Sequence, residues 1–204
     1  MSKFKNAIVI TGVIGSGKST VVNLLRVYGF SIIDADEIAH RALDESIDEI
    51  KSEFGSEFIK DNKVDRKSLG SLIFSDSKAK KKLENILHPL IKEQIFAEAS
   101  RLESSNYPYF IDLPLYFEKS PVYDEFQSVC VVYAPEQICL KRIIERNNLD
   151  FNEARLRLES QISIEKKREI ATYIIDNSSD LKHLNLEVNS FISTLKAKYH
   201  TLKI

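Results

Sequence analysis

The stretch that decides the fold is Gly12-Val13-Ile14-Gly15-Ser16-Gly17-Lys18-Ser19, which has the pattern G-x-x-x-x-G-K-[ST] of a phosphate-binding loop, or P-loop. It follows an apolar run at 7–10 and precedes a helix-like segment at 20–28 that begins with Thr20. Glycines let such a loop wrap closely around phosphates with its N–H groups inward, and the helix that follows adds its positive N-terminus. The sequence therefore predicts a nucleotide site over Gly12 to Thr20, with Lys18 on the β- and γ-phosphates and the Ser19 hydroxyl on Mg²⁺.

The length of 204 residues fits one α/β domain with room for inserted subdomains. A formal net charge of -1 gives no reason to expect a nucleic-acid or membrane surface. No run approaches the roughly 18 apolar residues that span a bilayer, and the first strand begins without a secretion signal. We expect a cytoplasmic protein with small-molecule partners, and the oligomeric state is left open.

Strand-like runs recur along the chain with helical stretches between them, which predicts a five-stranded parallel sheet flanked by helices. The five runs are 7–11, 31–34, 109–112, 128–133 and 173–176. We expect an α/β fold with its core at 1–36, 105–135 and 172–204, a helical insertion over the substrate at 37–104 and a helical lid at 136–171. Within the insertion, the pattern is almost wholly helical and predicts separate helices at 78–87 and 89–104.

Cysteines and histidines give no sign of a metal site or a disulfide. Cys130 and Cys139 fall in a predicted strand and the helix after it, where we expect small core residues. The four histidines share no metal-ligand spacing with each other or with cysteine, so no zinc site is predicted.

Two carboxylates, Asp34 and Asp36, close the second predicted strand, at the edge where open α/β sheets bind ligands. A carboxylate there can accept a hydrogen bond from an acceptor hydroxyl and take its proton during phosphoryl transfer, and we assign this role to Asp36. For Asp34 we expect a helix cap or a contact to a Mg²⁺-bound water. The simpler alternative is that one of the pair only caps a helix beginning at Glu37.

Asp112 ends the third predicted strand, as the Mg²⁺-supporting aspartate of P-loop enzymes does, although many strands end in Asp before a turn. Arginines in the lid can supply positive charge to the transferring phosphoryl oxygens. We assign this role to Arg142 and Arg157. Arg146 and Arg155 are better explained as surface charges.

The chain resembles the dephospho-coenzyme A kinases over nearly its whole length. Besides the P-loop, the features that carry the resemblance are Asp34-Ala35-Asp36, Arg66-Lys67-Ser68-Leu69-Gly70, Leu87-His88-Pro89, Asp112-Leu113-Pro114-Leu115-Tyr116-Phe117-Glu118, Arg157-Leu158-Glu159-Ser160-Gln161 and Ile174-Ile175-Asp176-Asn177. Val13, which stands where that family usually has a glycine, is a departure from its pattern.

The resemblance implies transfer of the γ-phosphoryl group of ATP to the ribose 3′-hydroxyl of dephospho-coenzyme A. It also implies a P-loop kinase-like fold in which the helical insertion at 37–104 binds the acceptor. Mg²⁺ is the cofactor expected from Ser19 and Asp112. The resemblance further implies that Asp36 engages the acceptor hydroxyl, that Arg142 and Arg157 are lid arginines and that Asn177 lies near the adenine. It places Leu115, His88 and Arg66 on the acceptor side. His88 could equally be a structural residue at a helix boundary before Pro89.

Two other functions compete with this interpretation. Another P-loop kinase for a small acceptor would share the P-loop and the lid arginines, and only the acceptor-side motifs distinguish it. A GTPase switch is suggested by Asn62-Lys63-Val64-Asp65, which matches N-K-x-D, but the match falls in the helical insertion and the chain has no D-x-x-G.

Overall fold

The computed structural model describes residues 3–200 and Leu202. In chain order its elements are β1 Ala7–Gly12, α1 Lys18–Val27, β2 Ile32–Asp34, α2 Ala35–Glu45, α3 Ile47–Phe54, a 3₁₀ turn Ser56–Phe58, β3 Ile59–Lys60, β4 Lys63–Val64, α4 Arg66–Ser75, α5 Ser77–Glu103, β5 Tyr109–Asp112, β6 Ser128–Tyr133, α6 Glu136–Asn147, α7 Phe151–Glu159, α8 Ile164–Glu169, β7 Tyr173–Asp176 and α9 Leu181–Lys198. The chain divides into two compact units. The first holds the chain up to Ile33 and from Ala99 onward, and the second is Asp34–Glu98.

The first unit is built on a five-stranded parallel sheet in the order β2-β5-β1-β6-β7, which confirms the predicted fold class. The central strand β1 pairs with β5 on one side and β6 on the other, so that Ile10 lies opposite both Asp112 and Cys130. Every residue of β1 is buried, as expected for a central strand covered on both faces. The carboxyl ends of β1 and β5 therefore bring the P-loop and Asp112 to the same edge.

Apolar side chains from the sheet and from α1 and α9 form the core of this unit. Phe110 of β5 is fully buried, with its ring centroid 5.0 Å from that of Phe30 and 5.9 Å from that of Phe191. These ring contacts pack β5, which ends in Asp112, against α9 and the segment before β2.

The second unit has a small core of its own, formed by Ile50, Val64, Leu69 and Leu83. Most of this unit is helical, and β3 and β4 add a short antiparallel hairpin that was not predicted from the sequence. Asp61 and Asn62 join the two strands with φ of 49° and 60°. Aspartate and asparagine tolerate this left-handed conformation, which suits a tight hairpin turn.

The predicted break between helices 78–87 and 89–104 is wrong, since α5 runs without interruption through Pro89. Proline removes the N–H that would bind the carbonyl of Asn85. Both Asn85 and Pro89 are exposed, so water can satisfy that carbonyl. Leu83 and Ile95 are buried on either side of the proline, and their burial stabilises one continuous helix.

Cys130 and Cys139 are buried free thiols, as predicted. Burial raises the pKa of both, that of Cys139 to about 11. No helix among the described residues has the length and apolar character required to cross a bilayer.

Candidate active site

The P-loop joins β1 to α1 and depends on glycine at particular positions. Gly15 and Gly17 have φ of 82° and 88°, which other L-residues rarely adopt. A side chain at Gly15 would also place its Cβ 2.5 Å from the carbonyl oxygen of Cys139, because α6 packs closely against the loop there. Val13 does not have a positive φ and is buried, so the loop requires no glycine at that position.

Side chains from later segments bind the carbonyl groups of the P-loop. Arg142 Nη1 donates to the oxygens of Gly15 and Ser16, each at 3.4 Å, and its Nη2 donates to the Asn177 oxygen at 2.9 Å. Asn177 Nδ2 donates to the Ser16 oxygen at 2.8 Å. The structure thus brings two predicted site residues, Arg142 and Asn177, to the P-loop and to each other.

The N–H groups of the same loop are available to an anion. Those of Gly15, Gly17, Lys18 and Ser19 have no acceptor in the part of the chain that the structure describes. With carbonyls bound from outside and unpaired N–H groups at a helix N-terminus, the loop has the polarity that phosphate groups require.

Lys18 forms an ion pair with Asp112, the last residue of β5. Asp112 is 7% exposed, so this carboxylate is held largely out of water at the carboxyl end of the sheet. Both residues were predicted from sequence, and the structure brings them together.

The other arginines considered from the sequence, Arg146, Arg155 and Arg157, are on the surface. Arg155 pairs with Glu159 at 2.6 Å and Arg146 bonds its neighbour Asn147 at 3.1 Å, as expected of surface charges. Arg157 is exposed on α7, and within residues 3–200 and 202 its guanidinium has no bonding partner. Of the two arginines assigned to the phosphoryl group, Arg142 is hydrogen-bonded to the P-loop in this structure and Arg157 is not.

Two clefts adjoin the P-loop in the first unit. One of about 390 Å³ is lined by Gly15, Gly17, Arg142, Glu145 and Arg146. The other, of about 330 Å³, is lined by Gly17, Thr20, Arg142, Asn177, Ser179, Asp180, Leu181 and Leu184. Gly17 and Arg142 border both, so the two spaces adjoin at the loop.

Three side chains that hydrogen-bond to the P-loop, or hold a residue that does, were not predicted from the sequence. Gln161 Oε1 accepts the Ile14 N–H at 2.9 Å. Lys167 Nζ donates to the Gly12 oxygen at 3.2 Å and pairs with Glu118 at 2.8 Å. Gln161 and Glu118 lie in motifs quoted for the family resemblance, which was the available signal, whereas Lys167 looked like one of many surface lysines.

In the second unit Asp34 and Asp36 lie at the start of α2 in different positions. Asp34 is the N-cap of α2, and its Oδ1 accepts the N–H groups of Asp36 and Glu37 at 3.1 and 3.2 Å. The helix begins at Ala35 rather than Glu37, so Asp36 lies in its first turn with an exposed side chain.

The remaining acceptor-side candidates lie on three different elements. Arg66 opens α4 and pairs with Asp44 of α2 at 2.7 Å. His88 lies inside α5, not at a helix boundary, with Nε2 4.0 Å from Glu84 Oε1. Leu115 follows β5 in the first unit and is 39% exposed; other leucines of this chain, such as Leu156, are more exposed, so this value alone does not mark a contact surface.

The N-K-x-D match does not form a guanine site. Asn62 is in the hairpin turn, and Asp65 caps α4 by accepting the Ser68 N–H at 3.1 Å. Among the described residues no cluster of three His, Cys, Asp or Glu side chains could hold a metal by itself.

Comparison with known proteins identifies the family. A sequence model described as dephospho-CoA kinase matches residues 6–183. The dephospho-CoA kinase of Sulfurimonas denitrificans is 48% identical over 196 residues, which cover 96% of this chain and 97% of that protein. That of Wolinella succinogenes is 43% identical over 200 residues, covering 98% of this chain and 100% of that protein.

Solved structures agree with the sequence comparison. A dephospho-CoA kinase from Campylobacter jejuni superposes with a TM-score of 0.77 at 37% identity, covering 95% of this chain and 98% of that one. A shikimate kinase from Acinetobacter baumannii, at 17% identity and a TM-score of 0.54 over 97% of this chain and 96% of that one, shares the fold alone. The family model, the near full-length relatives and this superposition together show that the chain belongs to the dephospho-CoA kinase family.

Proposed function

We propose that this protein transfers the γ-phosphoryl group of ATP to the ribose 3′-hydroxyl of dephospho-CoA, which makes it an ATP-dependent phosphotransferase of coenzyme A synthesis. The observation that carries the proposal is the P-loop of a chain in this family. Arg142 and Asn177 bind its carbonyl groups, and four of its N–H groups have no acceptor among the described residues.

The nucleotide is proposed to bind with its phosphates on the N–H groups of the P-loop. The cleft of about 330 Å³ between Asn177 and the start of α9 is the place proposed for the adenine, with Thr20 at its edge. Leu181 and Leu184 supply apolar surface there, and the polar groups around them can fix the orientation of the base.

Mg²⁺ is the proposed cofactor, and the residues present fit it. The Ser19 hydroxyl is exposed in the first turn of α1, and the Asp112 carboxylate is at the end of β5. Mg²⁺ takes oxygen ligands and keeps several waters, so it needs few protein donors beside the phosphates. When bound, the ion would neutralise charge on the phosphate oxygens.

Catalysis of the transfer step depends mainly on positioning the reactants and on positive charge, because the transition state of phosphoryl transfer is loose. Lys18 is proposed to exchange its contact with Asp112 for the β- and γ-phosphates. Arg142, already fixed at the P-loop, and Arg157, exposed on α7, are proposed to stabilise charge on the transferring oxygens. We propose that 136–171 acts as the lid that delivers Arg157.

Asp36 is the proposed acceptor base. Its partner Asp34 is engaged as the cap of α2, whereas the Asp36 side chain is exposed and can accept the hydrogen of a hydroxyl group. Arg66, His88 and Leu115 are proposed to bind the rest of the acceptor, with 37–104 as the acceptor-binding insertion. The 3′-hydroxyl proton passes to Asp36 as the new O–P bond forms and ADP departs.

The direct test offers the purified protein and Mg-ATP a panel of acceptors: dephospho-CoA, adenosine, AMP and shikimate. We expect ADP release that depends on dephospho-CoA alone. Faster release with any other acceptor would favour the rival small-acceptor kinase and overturn the proposal. A cytoplasmic location, and the absence of nucleic-acid and membrane partners, remain predictions. Cell fractionation would test the location.

A further inference from the structure

The first unit contains a fully buried lysine that the reaction described above does not use. Lys167, on α8, has an exposed fraction of 0%. Its Nζ lies 2.8 Å from Glu118 Oε1 and 3.2 Å from the carbonyl oxygen of Gly12. Burial lowers the pKa of Lys167, and the Glu118 carboxylate opposes that effect. A buried ammonium is costly unless it is paired, so the cation depends on these two contacts.

Glu118 joins the segment after β5 to the segment before α8. Its Oε1 also accepts the N–H of Ile162 at 3.0 Å, while its Oε2 is buried and has no partner among the residues that the structure describes. Apolar side chains of similar volume would hold two segments together at lower cost. Packing alone therefore does not explain the Lys167–Glu118 pair. A contact that an apolar side chain could not make is the hydrogen bond from Lys167 to the Gly12 oxygen.

Gly12 ends β1 and begins the P-loop. The peptide group is planar, so the Gly12 oxygen and the Val13 N–H point in opposite directions. Glycine itself offers little resistance to rotation of this peptide. A fixed donor on the oxygen consequently fixes the direction in which the first peptide of the loop presents its N–H.

We infer that Lys167, held by Glu118, is a positioning residue of the P-loop, whose hydrogen bond to the Gly12 carbonyl orients the loop for the triphosphate without touching the nucleotide. This inference rests on the proposed binding of ATP at the P-loop. Arg142 and Asn177 bind the carbonyls farther along the same loop, so Lys167 completes its external support at the strand end.

Three variants separate positioning from stability. Lys167→Met/Glu118→Gln removes the donor to Gly12 but leaves no buried unpaired charge, and glutamine keeps an acceptor for Ile162. Glu118→Gln alone destabilises the protein yet leaves Lys167 able to donate to Gly12. Lys166→Met removes an exposed positive charge from the same helix and is the matched control.

For each variant we would measure the melting midpoint, kcat and KM for dephospho-CoA, and the Kd of ATP by calorimetry without acceptor. A misplaced catalytic geometry can cost up to about 100-fold in rate. We expect the double variant to melt near wild type with kcat lowered roughly 10- to 100-fold, ATP binding weakened and the acceptor KM unchanged. Glu118→Gln should melt lower yet keep kcat within several-fold, and Lys166→Met should match wild type.

The inference is overturned if the double variant keeps wild-type kcat and ATP affinity, or if loss of activity follows the melting midpoint across the variants. Should the double variant not fold, Lys167→Met and Glu118→Gln are compared at a temperature at which both are folded. Equal kcat in those two contradicts the inference, and a lower kcat in Lys167→Met supports it. The calorimetric measurement needs no acceptor. It therefore tests the role of Lys167 even if the proposed acceptor proves to be wrong.

Discussion

Replacing Arg157 by alanine should remove much of the catalytic rate and almost none of the stability. The Arg157 side chain is exposed on α7, and its guanidinium forms no hydrogen bond or ion pair with any described residue, so its loss breaks none of these. Surface substitutions of this kind change the free energy of unfolding by less than about 0.5 kcal/mol. That corresponds to a shift of the melting midpoint below about 2 °C for a chain of this size.

The effect on kcat should be far larger, because the guanidinium is proposed to act on charge that develops during transfer. Loss of one such donor typically costs about 100- to 1,000-fold in kcat, or about 2.7–4 kcal/mol of transition-state stabilisation. Steady-state kinetics at saturating dephospho-CoA would measure it, together with a thermal melt. We expect kcat and kcat/KM to fall together, with a smaller change in ATP affinity.

Arg155→Ala is the matched control, two residues away on the same helix. Arg155 pairs with Glu159 on the surface, where such contacts contribute little, so its removal should change stability only slightly and leave kcat unchanged. A rise of KM alone in Arg157→Ala, with kcat intact, would show that Arg157 contributes only uniform binding. An equal loss of kcat in Arg155→Ala would point to the net charge of α7 as the cause, and either result would refute the role assigned to Arg157.

Three further predictions follow from the site and the core. Lys18→Met should abolish measurable transfer, because the phosphates lose a positive charge. It should also lower the free energy of unfolding by about 1–3 kcal/mol, because the largely buried Asp112 loses the ion pair with Lys18. Denaturation and activity measured on the same sample would check both effects. Asp36→Asn should slow single-turnover transfer by roughly 10²- to 10⁴-fold while acceptor affinity is kept. Asp34→Asn should slow transfer far less, because asparagine keeps the oxygen that caps α2, and the opposite pattern would reverse the two roles. Neither thiol should react with a disulfide reagent at pH 8 until the protein unfolds, since burial raises the pKa of Cys139 to about 11 and leaves only about one thiolate in a thousand. Fast reaction of the native protein would contradict the burial of Cys130 and Cys139.

The parts of the fold that the sequence predicted are those governed by local pattern. Hydrophobic runs such as 7–10 and 128–133 indicated central parallel strands because both faces of such strands are covered. The P-loop was recognisable because its glycines meet a backbone requirement, seen in the positive φ of Gly15 and Gly17.

The parts that the sequence did not predict depend on tertiary context. Pro89 suggested a helix boundary, but the exposure of Asn85 and the packing of Leu83 and Ile95 allow α5 to continue. The hairpin of β3 and β4 is too short to produce an alternating pattern. Lys167 is indistinguishable in sequence from Lys166 beside it, and only the fold shows that one is buried against Gly12 and the other is exposed.

Identification of the product tests the central claim most directly. Wild-type protein would be incubated with Mg-ATP and dephospho-CoA, and the product examined by ³¹P nuclear magnetic resonance with correlation to the ribose protons. The account predicts a new phosphomonoester coupled to the ribose 3′ proton, with one ADP formed for each phosphate transferred. ADP released without a new phosphomonoester, or a phosphate on any other hydroxyl, would contradict it.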